Sequence, residues 1–258
     1  MAITVVQAAT LASLSASGAG GGPVSFSSLP TVGNSVIAVM AGWPTSGAVW
    51  TGSTCSDNQS GNGYSQLGFV EEQWSLNAIC AWLCPVVAGS AGTFTITPKF
   101  TPTAGTGNYL MGALEVSGLD PVNYMDQSAE FRTTSANVAS VSVLTRDYNK
   151  LKDTLVLALL AFDNARTVSD PASSGYTSFG LHQSDATFDC EFSYKILTAI
   201  EQSSGTWTYG GGTAAAAALL VTLRGLTPAV PPVSVPGMLP RKRRRGGLQM
   251  DLNLSEWF

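Results

Sequence analysis

Apolar and polar residues alternate along this chain over short distances. Ala78, Cys80, Trp82 and Cys84 stand at every second position, as do Phe188, Cys190, Phe192 and Tyr194. Successive side chains of a strand point to opposite faces, so each set predicts one face of one sheet. The runs 36–40 and 155–160 are apolar throughout and bounded by turn residues. Such runs suit strands buried between two layers. Clusters such as SASGAGGGP, SGNG and SSG separate the apolar segments, and glycine there admits backbone with positive φ. The stretch TAAAAALLVTLRG is ambiguous, because its alanines favour helix. Its counterpart earlier in the chain, NYLMGALEVSG, has no such bias, and strand is predicted for both.

That counterpart belongs to an internal repeat. GNSVIAVMAGW (33–43) parallels KDTLVLALLAF (152–162), and GNGYSQLG (61–68) parallels SSGYTSFG (173–180). NAICAWLCPVV (77–87) parallels TFDCEFSYKIL (187–197), an alignment that pairs Cys80 with Cys190 and Trp82 with Phe192. GTFTI (92–96) matches GTWTY (205–209), and LMGALEVSGLDP (110–121) matches AALLVTLRGLTP (217–228). The ordered set makes duplication the simplest reading. About seven strands per copy, at spacings typical of sandwiches, give an all-β fold of two pseudo-repeated antiparallel β-sandwich, jelly-roll-like halves. Trp82 and Phe192, and likewise Phe94 and Trp207, are expected to fill matching places between sheets. The expected divisions are a first half 1–121, a second half 122–227, a proline-rich linker 228–240 and a basic and apolar tail 241–258.

Charge sharpens this division. Charged residues make up 12 % of the 258 residues, against roughly 25 % in ordinary globular chains. Residues 1–227 hold eight basic and fifteen acidic groups, a net charge of −7. An acidic body makes nucleic acid an unexpected partner. With few charged residues to protect edge strands, oligomerisation is the expected remedy, a trimer being the first expectation. The apolar runs are too short to cross a bilayer, and MAITVVQAAT does not read as a secretory signal. The cysteines, Cys55, Cys80, Cys84 and Cys190, lack CxxC spacing and read as reduced structural residues.

At ALEVSGLDPVNYMD (113–126) the chain resembles a group of phage and prophage structural proteins whose two β-rich halves are divided by an EYSGLD…NPLD motif. The group's AGNLLVVAVGW is similar to VGNSVIAVMAGW here, and its DSAGNTY turn to SDNQSGNGY. The resemblance spans Ile3 to about Leu226, with Val116 where the group has Tyr. It implies a virion protein outside the main shell lattice: a capsid decoration protein, a head fibre or a tail-associated subunit. It implies neither substrate nor cofactor, and other virion proteins as partners.

Reactive chemistry is sparse. His182 is the sole histidine; Ser184 and Asp185 are near in sequence, but a triad requires that such groups meet in space. Glu71 and Glu72 are adjacent and predict opposite strand faces at a solvated end. Cys80 and Cys84 stand roughly 13 Å apart on a strand, too far for a shared zinc or a disulfide. SDNQSGNG is rich in oxygen ligands but short of the carboxylates a calcium loop uses, so no metal is expected. Trp43, Trp50, Trp74 and Tyr64 fall in or near predicted loops, and a host glycan stacked on them is the alternative ligand.

The tail is the candidate interaction site. The proline-rich 228–240 favours extended polyproline geometry and reaches roughly 40 Å. Arg241, Lys242, Arg243, Arg244 and Arg245 follow, and then two glycines. Leu248, Met250, Leu252 and Leu254 alternate with polar residues before Trp257 and Phe258, the pattern of a strand with one buried face. This predicts a spacer and an anchor that adds a strand to a partner's sheet or seats its aromatics in a pocket, with the arginines against an acidic surface.

Overall fold

In a computed structural model of the chain, the described residues are 2–17, 22–44, 50–72, 77–88, 92–102, 106–132, 138–163, 167–169, 175–182, 188–210 and 213–226. They form strands and, among the described residues, no helix. The first half carries β1 (Thr4–Ser17), β2 (Val24–Ser25), β3 (Ser35–Pro44), β4 (Trp50–Asp57), β5 (Ser65–Glu71), β6 (Ala78–Cys84), β7 (Thr95–Pro102) and β8 (Thr106–Ser117). The second carries β9 (Met125–Arg132), β10 (Ser140–Tyr148), β11 (Thr154–Phe162), β12 (Thr167–Ser169), β13 (Thr177–His182), β14 (Asp189–Leu197), β15 (Gln202–Gly210) and β16 (Ala216–Arg224). Met1–Thr227 is one compact unit.

The pairing is antiparallel throughout and repeats strand for strand. One half has the orders β1-β8-β3-β6-β5 and β2-β7-β4; the other has β9-β16-β11-β14-β13 and β10-β15-β12. Adding eight to each strand number turns the first pair of sheets into the second. The orders β1-β8-β3-β6 and β2-β7-β4 are those of a jelly roll in which β5 has joined the larger sheet. The alanine-rich segment forms β16, fully paired with β11, as its repeat partner predicted.

The sheets stack as four layers, with the two five-stranded sheets inside. Ile37, Val39, Ile79 and Leu83 of the first half meet Leu155, Leu157, Leu159, Leu219 and Val221 of the second in a central core. The opposite faces of the same strands close two outer cores. Val36, Met40, Cys80 and Trp82 pack on Phe94, Ile96 and Phe100; Val156, Leu160 and Leu220 pack on Val141, Val143 and Trp207. β3, β6 and β11 are therefore buried on both faces, which is why their sequences are apolar at consecutive positions. Each fully buried large aliphatic side chain contributes about 1.5–3 kcal/mol.

The register corrects two parts of the sequence alignment. Val39 on β3 pairs with Gly112, and Leu159 on β11 pairs with Leu219, the repeat partner of Gly112, so Val39 corresponds to Leu159, one residue further on than the alignment read off the sequence. Gly68 on β5 pairs with Ala81, and its repeat partner Gly180 on β13 pairs with Phe192. Phe192 therefore corresponds to Ala81, and Ser193 to Trp82, one residue from the alignment read off the sequence. In a strand, a slip of one exchanges the faces. Accordingly Cys80 and Trp82 face the outer core of their own half, whereas Cys190 and Phe192 face the other half across the central core. Phe94 and Trp207 do occupy matching outer cores. The ladder skips a residue at Leu67 in one half and at Phe179 in the other, so a β-bulge is duplicated with the strands.

Glycine allows the inner sheets to approach. A Cβ on Gly68 would lie 2.9 Å from Leu219, and one on Gly112 would lie 3.0 Å from Phe179 and 3.1 Å from Phe192. The two halves join where Gly118 and Leu119 meet Gly225 and Leu226. Leu119 bridges to Gly225, and the Leu226 amide donates to the Gly118 carbonyl at 2.8 Å. Gly118 has φ +82°, and a Cβ there would lie 2.5 Å from the Ala2 carbonyl oxygen, so both backbone and space require glycine.

Candidate functional site

Arg241, Lys242, Arg243, Arg244, Arg245, Leu248, Met250, Leu252, Leu254, Trp257 and Phe258 lie outside the described residues, so the described surfaces belong to the body. Several of its carboxylates are held in structural hydrogen bonds. Glu115 on β8 is buried; its Oε1 accepts from the Thr31 amide at 2.8 Å and Asn34 Nδ2 at 2.6 Å, and its Oε2 from Gln7 Nε2 at 2.7 Å. It thereby ties β1 and the 31–34 turn to the inner sheet. Asp57 Oδ1 accepts from the Gln59 amide at 2.8 Å, and Oδ2 from Asn62 Nδ2 at 2.9 Å and Tyr64 Oη at 3.0 Å. The oxygen-rich loop thus turns its carboxylate onto its own donors.

The resemblance motif also carries structural carboxylates. Asp120 Oδ1 accepts from the amides of Val122 and Asn123, both at 2.9 Å, and these bonds hold its carboxyl below the usual range. Asp126, whose side chain is fully buried, pairs with Arg224 Nε at 3.2 Å and accepts from the Lys150 amide at 3.0 Å. Its ion pair links the first strand of the second half to the last. Glu72 corrects the expected solvated end: it is buried, and its amide donates to the Asn77 carbonyl at 2.8 Å. Neighbouring Glu71 accepts from the Trp50 amide at 3.4 Å.

His182 ends β13 with its backbone paired to Cys190; its side chain, Ser184 and Asp185 lie outside the described residues. Cys80, Cys84 and Cys190 are buried free thiols and Cys55 is half-buried. Burial pushes the Cys80 thiol up to about 12 and raises Cys55, Cys84 and Cys190 as well. The reactive species is the thiolate, so burial disfavours the reactive form of these groups. Among the described residues no group of three or more His, Cys, Asp and Glu side chains is placed to hold a metal ion. Among the described residues no helix is long and apolar enough to cross a membrane.

The aromatic residues expected in loops are packed instead. Trp50 is buried, with its ring centroid 5.0 Å from Phe100 and 6.0 Å from Tyr109. Trp43 packs against the central core, and Tyr64 against the outer core of the first half. Trp74 lies outside the described residues. A groove of about 280 Å³ runs between the edges of β4 and β5, lined by Trp50, Gly52, Ser53, Gln66 and Phe69. Ser53 Oγ donates to Gln66 Oε1 at 3.0 Å across it. The edges themselves differ in chemistry. β9 carries Asp126, Glu130 and Arg132, whereas β1 runs for fourteen residues with neither charge nor proline.

Comparison with protein-family models, with curated proteins and with solved structures finds no significant match to this chain.

Proposed function

We propose that this protein is a non-enzymatic structural component of a bacteriophage virion, a capsid decoration, head-fibre or tail-associated protein, attached through the tail 241–258. The observation that carries this reading is the strand-for-strand duplication closed by a shared central core. Such a body suits a mechanical load: its charges and thiols serve packing, and a spacer with an amphipathic end suits attachment to another virion protein. A glycan-binding adhesin would be served by exposed aromatics, yet Trp50 is buried and Trp43 and Tyr64 pack against the cores, which favours the structural reading.

The test is particle composition. Purified particles of the phage encoding the chain are expected to contain it at a fixed ratio to the shell protein by quantitative mass spectrometry. A chain ending at Leu226 is expected to fold and be absent from them. Absence of the full chain from particles sinks the virion role, and equal incorporation of the shortened chain sinks attachment through the tail.

A further inference from the structure

Fifty-six residues pass before the first charged side chain, Asp57, and β1 lies within that stretch. β1 is also the edge of an inner five-stranded sheet. Its ladder with β8 shifts register between Val5 and Gln7 and again between Ser13 and Ala16. Between those shifts, Gln7 to Ser13 pairs without interruption with Glu115 to Tyr109. The outer side of this segment is a regular, uncharged row of backbone donors and acceptors, which is a template for another strand. Two exposed apolar side chains flank it: Val6 at 49 % exposure on β1 and Leu181 at 50 % on β13. β13 lies against β1 here, since Thr10 Oγ1 donates to the Phe179 carbonyl at 3.0 Å.

We propose that the β1 edge is a homodimer interface, in which β1 pairs antiparallel with β1 of a second copy around a two-fold axis near Thr10. Two observations point to a second copy. The regular segment is centred on Thr10, so antiparallel self-pairing sets Gln7 opposite Ser13, Ala8 opposite Ala12 and Ala9 opposite Leu11 of the other copy. Such pairing is self-complementary and closes at two, rather than the three expected from the sequence. Electrostatics supplies the second argument. Two bodies each of net charge −7 repel, and β1 offers an uncharged face by which they can approach. The equivalent edge β9, with Asp126, Glu130 and Arg132, lacks that property. Pairing joins two inner sheets into one of ten strands and brings Val6 and Leu181 to the apolar margin. This interface does not depend on the particle role proposed above.

Sedimentation of the full chain at micromolar concentration tests the proposal. The wild type is expected at twice the chain mass, and Ala8→Lys, which places a cation on the exposed edge, at the chain mass. Ser128→Lys, the same charge on β9, is expected to keep the doubled mass. Circular dichroism checks that each variant is folded; if Ala8→Lys is not, Leu181→Lys takes its place with the same expected halving. A monomeric or trimeric wild type overturns the proposal. So does a folded edge variant that stays dimeric, or a Ser128→Lys protein that dissociates equally.

Discussion

At the scale of single residues, the body keeps ionisable groups in the states that packing prefers. Cys80 lies in the outer core of the first half with its thiol 3.4 Å from Ser53 Oγ, and Tyr109 lies beside Trp50 in the same core. Burial moves Cys80 from its ordinary 9.0 to about 12 and Tyr109 from 10.0 to about 12. A pKa raised in the folded state stabilises the fold below the unfolded pKa, and that contribution is lost as pH rises through the folded value. Urea midpoints are therefore expected to start falling above about pH 9, as the unfolded Cys80 thiol begins to ionise, and to fall further towards pH 12. Midpoints constant across that window would show that these groups are solvated in the folded protein.

At the scale of the strands, function of a position follows from the face it takes. Gly112 sits mid-strand on β8 where Phe179, Phe192 and Val39 converge, so its missing side chain makes room for the opposite sheet. Gly112→Val is expected to destabilise by about 1–3 kcal/mol through overpacking. Gly52 on β4 has no heavy atom within 4 Å of the place its Cβ would take. Gly52→Val is expected to change stability by no more than about 0.5 kcal/mol, as usual for a surface site. Equal losses in the two variants, measured by denaturant unfolding, would show that the close approach of the sheets is not what requires glycine at position 112.

At the scale of the molecule, the halves share their largest core. Each inner sheet is apolar on both faces, so removing one half exposes the central face of the other. Such an exposed patch promotes association. The fragment 1–121 alone is expected to aggregate or bind a hydrophobic dye, and the whole body to unfold in one calorimetric transition. Two resolved transitions, with a soluble monomeric fragment, would mean that each jelly roll is stable by itself.

Strand type and repeat were legible in the sequence because both are written locally. Period-two runs marked β6 and β14 as strands, doubly apolar runs announced β3 and β11, and the ordered blocks exposed the duplication, even resolving the alanine-rich β16. Register was not legible, since a one-residue slip between ICAWLC and DCEFSY leaves both strings apolar and alternating. Only the bulged pairings of Gly68 with Ala81 and Gly180 with Phe192 decide that Trp82 faces outward and Phe192 inward. The burial of Trp50 and Glu72, the triple use of Glu115 and the bare edge of β1 likewise arise from contacts between segments far apart in the chain. The sequence by itself determined which segments are strands and that they come in two sets. The tertiary structure decided which face each presents and which edge stays open, because those depend on the layer across from a residue rather than on its neighbours along the chain.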